Sequence, residues 1–216
     1  MEKNYSNMTY GQIEDDIICE LLKYDSHDIC AWWKFIELMD FIPDEYVLRV
    51  LFNVVYSGYN FDSDEFYDTL DEILSYETPE QRNQRIKSNT AALQDKIESD
   101  GFITVYRGYD ELSYDSESAL SWTYDIDDAL FFGLKKAWLE DGNSHCLITA
   151  KIKPEDVLIV IDDDREHEII VNPDADKMII SDAPIKMTKE EKEDFYNRRK
   201  KKSEEKVQQM IDSFKK

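Results

Sequence analysis

The hydrophobic period of this chain changes at Asp100-Gly101, and the two sides of that change call for different folds. From Gly11 to about Ile97, apolar residues recur at three- and four-residue spacing: Ile13, Ile17, Leu21; Trp32, Phe35, Ile36, Met39; Val47, Val50, Leu51, Val54. That spacing stacks side chains on one face of a helix. Asp62 followed by Glu65 opens a further stretch carrying Phe66, Leu70, Ile73 and Leu74. Thr78-Pro79-Glu80-Gln81 marks another start: Thr78 caps, Pro79 suits the first helical position, and Gln81 bonds back to the cap, so a helix is expected to about Ile97. Residues 1–99 are thus expected as a small all-α domain of about five helices.

After the change the runs become short and β-rich: Phe102 to Tyr106, Ala119 to Thr123, His145 to Ile152, Val157 to Ile161, Glu166 to Val171 and Lys177 to Ile180. One helix interrupts them, capped by Asp125 and ending near Gly142. Gly133 inside it marks close packing, since glycine there costs about 1 kcal/mol relative to alanine. Residues 100–185 are expected as an α+β domain with a mainly antiparallel sheet. From Thr188 the chain is almost wholly polar, with an unbroken basic run from Arg198 to Lys202, then Val207, Met210, Ile211 and Phe214 at helical spacing. Residues 186–216 are therefore expected as a basic C-terminal helix that docks on the acidic body or meets a partner.

Net charge sharpens that division. The whole chain carries −22, but Lys186 to Lys216 holds 11 basic and 7 acidic residues, a net +4 against −26 for everything before it. An acidic body repels nucleic-acid backbones and anionic membranes, so nucleic-acid binding is disfavoured except through the basic C-terminal helix. The acidity is a solubilising surface, or else a phosphate mimic or an attractor of a basic partner. Aromatic residues make up 12% of the chain and recur along most of it, which argues for a packed core rather than disorder. Cys19, Cys30 and Cys146 are odd in number and show no metal-ligand spacing, so they read as reduced, mostly buried thiols. Neither a basic, apolar leader nor a run of roughly 20 apolar residues is present, and the expected location is cytoplasmic, with no membrane contact.

Three pieces of the β-rich half are notable in combination: Val105-Tyr106-Arg107-Gly108 ending a strand, Leu120-Ser121-Trp122-Thr123 in a second, and Arg165-Glu166-His167-Glu168-Ile169-Ile170-Val171 opening a third. Each alone is weak. In this order they resemble the Arg, Ser-x-Thr/Ser and Glu-x-Glu motifs of mono-ADP-ribosyltransferases of the arginine-specific toxin-like class, of bacterial or phage type. The resemblance covers about Phe102 to Ile180 and omits the helical half. It implies the split β-sheet of that class and NAD as co-substrate, with no metal.

The chemistry explains the residue types. Arg107 can offer a forked, permanently charged donor to an NAD phosphate, which an otherwise acidic protein needs. The resemblance assigns the backbone of Gly108 to the nicotinamide amide, where the missing side chain permits close approach. Ser121 and Thr123 share one strand face; the resemblance places Ser121 near the catalytic glutamate and the ribose, with Thr123 in support. Trp122, on the other face, is core. Phe132 falls where some family members hold an aromatic near nicotinamide, though plain packing also explains it. Glu166 and Glu168 share a face two residues apart. The family's catalytic glutamate precedes an apolar triplet, and here Ile169-Ile170-Val171 follows Glu168. A carboxylate beside the ribose stabilises positive charge developing as the glycosidic bond breaks. Glu166 matches the position that orients and helps deprotonate an acceptor guanidinium in arginine-modifying members.

Asp162-Asp163-Asp164 lacks the spacing and glycine of a calcium loop and reads as a solvated loop suited to a basic, arginine-bearing protein acceptor. The helical half could contact a target, an antitoxin or another partner. The competing functions are NAD hydrolysis, transfer to nucleic acid, and an acidic interaction or inhibitor protein that retains an inactive transferase scaffold.

Overall fold

A computed structural model describes residues 5–26, 29–56, 63–110, 119–135, 145–162 and 167–213. The chain divides into two compact units, Met1–Arg85 and Ile86–Lys216.

The first unit is helical: α1 (Tyr10–Leu21), α2 (Cys30–Met39), α3 (Asp44–Val50) running into a π-helical turn (Leu51–Tyr56), α4 (Ser63–Tyr76), and the start of α5 (Pro79–Ala92). Thr9 begins α1 with a reciprocal cap to Gln12, and the expected Thr78–Gln81 pair begins α5, with bonds of 2.8 and 3.2 Å. The apolar stripes seen in the sequence meet inside: Ile13, Ile17, Leu21, Trp32, Phe35, Val50, Leu51, Phe66 and Leu70 are all buried. Each such side chain contributes about 1.5–3 kcal/mol by leaving water. The cysteines depart from expectation, because Cys19 and Cys30 are exposed and only Cys146 is buried. Cys19 falls off the Ile13–Ile17–Leu21 stripe, and Cys30 is the first residue of α2.

In the second unit, β1 (Ile103–Asp110), β2 (Ser121–Thr123), β3 (His145–Ile152), β4 (Val157–Asp162), β5 (His167–Val171) and β6 (Met178–Pro184) form one sheet in the order β4-β5-β2-β1-β3-β6. Every neighbouring pair is antiparallel. Helix α6 (Ile126–Lys135) follows β2, and α7 (Lys189–Ser213) ends the described chain. The fold is therefore α+β, a mixture of helices and antiparallel sheet. The later part of the expected interior helix, to Gly142, lies outside the described residues.

One sheet face makes a core of Ile103, Val105, Trp122, Ile148, Ala150, Ile152, Val157, Ile169 and Val171. Leu93 enters it, and Asn89 donates to the Val157 and Leu158 carbonyls at 2.9 and 3.1 Å. These contacts put the last residues of α5 in the second unit, so the division by packing precedes the change of period at Asp100-Gly101. That change is itself a turn, with Gly101 at φ 85°, a conformation that favours glycine.

The opposite face carries α6. Phe195 of α7 is buried, Tyr196 stacks on Phe131 of α6, and Arg199 lies 4.4 Å from the Phe131 ring, so the basic helix docks on this unit. The side chains of Val207, Met210, Ile211 and Phe214 lie outside the description.

Candidate functional site

Strand register decides what the three motifs can do together. Thr123 lies opposite Tyr106 on one side and Glu168 on the other, while Ser121 lies opposite Ile170. Paired residues share a face, so Ser121, Thr123 and Glu168 all leave the sheet on the face away from Trp122. There the Ser121 hydroxyl donates to the Glu168 carboxylate in a short bond. Both residues are partly exposed.

Arg107 reaches them from the other side. It pairs with Ile148, a member of the core face, and its Nη1 donates to the Ser121 backbone carbonyl at 2.6 Å. The arginine therefore grips the main chain of β2 at the residue whose hydroxyl meets Glu168. Contrary to the expectation of a strand end, Arg107 lies inside β1, which runs on to Asp110. Gly108 and Tyr109 continue the ladder opposite Leu147 and Cys146.

Gly108 has a packing reason for its identity. Its missing side chain faces α6, where a Cβ would come within 1.9 Å of the Ala129 carbonyl oxygen. Thr123 is buried, and its hydroxyl accepts from the Asp125 amide at 3.0 Å, ending β2 and opening α6. Asp125 in turn accepts from the Asp127 amide at 2.8 Å, as a helix cap does. Phe132 is 40% exposed and packs edge-on against Phe131. Glu166, Asp163 and Asp164 lie outside the described residues.

Three residues not assigned to the site from sequence sit beside it. Asp128 in the first turn of α6 is buried and accepts from the His167 amide at 3.1 Å and from His167 Nδ1 at 2.9 Å. A carboxylate can only accept here, so Nδ1 carries the proton. Arg199 Nη2 lies 2.5 Å from the other Asp128 oxygen. Burial pushes the Asp128 carboxyl up, but the bonds from His167 and Arg199 outweigh it and hold the group below its ordinary value. Asp125, Asp128 and His167 bring metal-ligand atoms within 4.8 Å of one another, yet Arg199 and the Nδ1 proton already occupy Asp128. The cluster works as a hydrogen-bond hub. In sequence, Asp127-Asp128 reads only as first-turn acids complementing the helix dipole.

Beside this hub a cavity of about 400 Å³ is lined by Ala92, Lys96, Tyr106, Tyr124, Asp125 and His167, among others. Its His167 wall is adjacent in the chain to Glu168. Lys96 Nζ lies 5.1 Å from the Tyr124 ring, which meets the His167 imidazole edge-on.

No protein-family model, no curated protein and no solved structure matches the chain. Among the described residues, no helix is long and apolar enough to cross a membrane.

Proposed function

We propose that this protein is an NAD-dependent mono-ADP-ribosyltransferase acting on an arginine side chain of a protein, with Glu168 as its catalytic residue. The observation that carries the proposal is the chain of contacts Arg107–Ser121–Glu168, which joins the three motif residues across adjacent strands. Motif order along the sequence did not require any such contact.

NAD supplies the ADP-ribosyl group and a nicotinamide leaving group. The donor set suits a ribose: a hydroxyl and a carboxylate meet at a partly exposed point, Arg107 braces the Ser121 main chain from the core face, and the neighbouring cavity has the size of a small-molecule site. Glu168 stabilises positive charge as it develops on the sugar and accepts a ribose hydroxyl. Ser121 holds that carboxylate in one orientation. Arg107 holds Ser121, and its positive charge favours a diphosphate in an acidic protein. Nicotinamide departs with the electron pair of the broken bond, and the acceptor nitrogen forms the new bond to the same carbon. Glu166 would orient that acceptor guanidinium and take the proton its nitrogen gives up as the new bond forms. The acidic surface favours a basic protein segment as substrate.

Incubation with labelled NAD and a cell extract, followed by mass spectrometry, tests the reading and identifies the acceptor. Label on arginine is expected; label only on nucleic acid, or free ADP-ribose alone, would replace protein transfer with one of the other NAD reactions.

A further inference from the structure

We propose that Asp128 is a positioning residue that aims Glu168 at Ser121, and that Arg199 of the C-terminal helix is required for it to do so. The inference rests on the transferase reading and adds a regulatory element to it, since it makes the basic tail part of the active unit.

His167 is the first residue of β5, one peptide before Glu168. Asp128 takes both its main-chain N–H and its Nδ1–H on a single carboxylate oxygen, which pins the entry to β5. The side chain of Glu168 then follows from the strand's pleat, pointing to Ser121 on β2. A shift at His167 would swing the carboxylate away from that hydroxyl, and a displacement of about 1 Å at a reacting group can cost as much as 100-fold in rate.

Asp128 performs this role at a price in desolvation. Its side chain is 6% exposed, and a second carboxylate, Asp125, stands 3.7 Å from the same imidazole. A buried carboxylate needs a compensating cation. Arg199 provides it from α7, and its guanidinium also stacks over Phe131 of α6. Three elements, α6, β5 and α7, thus close on one carboxylate. Lys96, over Tyr124, is the other cation near the imidazole among the contacts described above.

The test uses the full chain with Asp128→Asn, Arg199→Met and Arg199→Lys. Asparagine retains an acceptor for the His167 amide but removes the charge. Arg199→Met strands the buried Asp128 charge, whereas Asp128→Asn removes it and Arg199→Lys keeps a cation beside it, so these two variants carry the test where the methionine variant does not fold. For nicotinamide release from NAD, kcat should fall about 10- to 100-fold in Asp128→Asn and Arg199→Met, and KM should move less than about threefold. Arg199→Lys should recover part of the loss. Amide hydrogen exchange, measured in parallel, should accelerate at His167 to Ile169 while β1 and β3 keep their protection.

Unchanged kcat in the folded variants would overturn the proposal, and so would equal loss of protection across β1, β3 and β5. If the native protein releases no nicotinamide, the transferase reading fails instead. Exchange then decides the anchoring alone: selective loss in β5 supports it, and uniform loss or none overturns it.

Discussion

Gly108 of β1 and Gly133 of α6 meet backbone to backbone, with a Cβ on Gly108 falling 1.9 Å from the Ala129 oxygen and 2.6 Å from the Gly133 nitrogen. Neither backbone atom can rotate out of the way as a flexible side chain could. Gly108→Ala should therefore push α6 off the sheet and lower stability by about 3 kcal/mol or more. Gly133→Ala meets its neighbours at 3.1 Å, one of them the end of the Ile185 side chain, and should cost less. Urea unfolding of the two variants checks the order; a Gly108→Ala protein as stable as the native one would show that α6 does not pack as described.

Ser121 gives a prediction of the opposite kind. Removing its hydroxyl takes away the bond to Glu168 but leaves the carbonyl that Arg107 grips. Ser121→Ala should lose about tenfold or more in kcat for NAD cleavage and no more than about 1.5 kcal/mol of stability. Steady-state kinetics beside a thermal melt separates the two effects. A stability loss without a rate loss would reduce Ser121 to a scaffold residue.

Acid should act through Asp128. Its carboxyl is depressed in the folded protein, so the stability it contributes is present above its unfolded value of about 3.9 and is lost as pH falls through the lower folded value. The unfolding free energies of the native protein and Asp128→Asn should differ near neutral pH and converge below about pH 4. A gap that stays constant across that range would mean that the charge of Asp128 contributes nothing.

Much of this architecture was legible from local pattern. The Thr78–Gln81 cap, the six β-rich runs and the Asp125 cap all depend on neighbours a few residues apart, and Gly133 stands out as a glycine inside a helical run, although the residues it packs on, Gly108 and Ile185, are distant in sequence. Long-range geometry was not. Arg107 reaching the Ser121 carbonyl from the core side depends on β1 continuing past Gly108, which the β3 ladder enforces. Asp128 acquires its importance from His167 and Arg199, 39 residues away in one case and on a separate helix in the other. The first-turn acid carries no periodic signal of that role. Thr123 shows the same limit: alternation put it on the site face, but burial and the Asp125 amide fix its hydroxyl to the start of α6.

The most direct test of the central claim is nicotinamide release from NAD by the native protein and by Glu168→Gln. Glutamine keeps the size of the side chain and an acceptor for Ser121 but cannot offset positive charge on the sugar. The native protein should release nicotinamide, and the variant should bind NAD with release reduced about 100-fold or more. Equal release by both proteins would contradict the account.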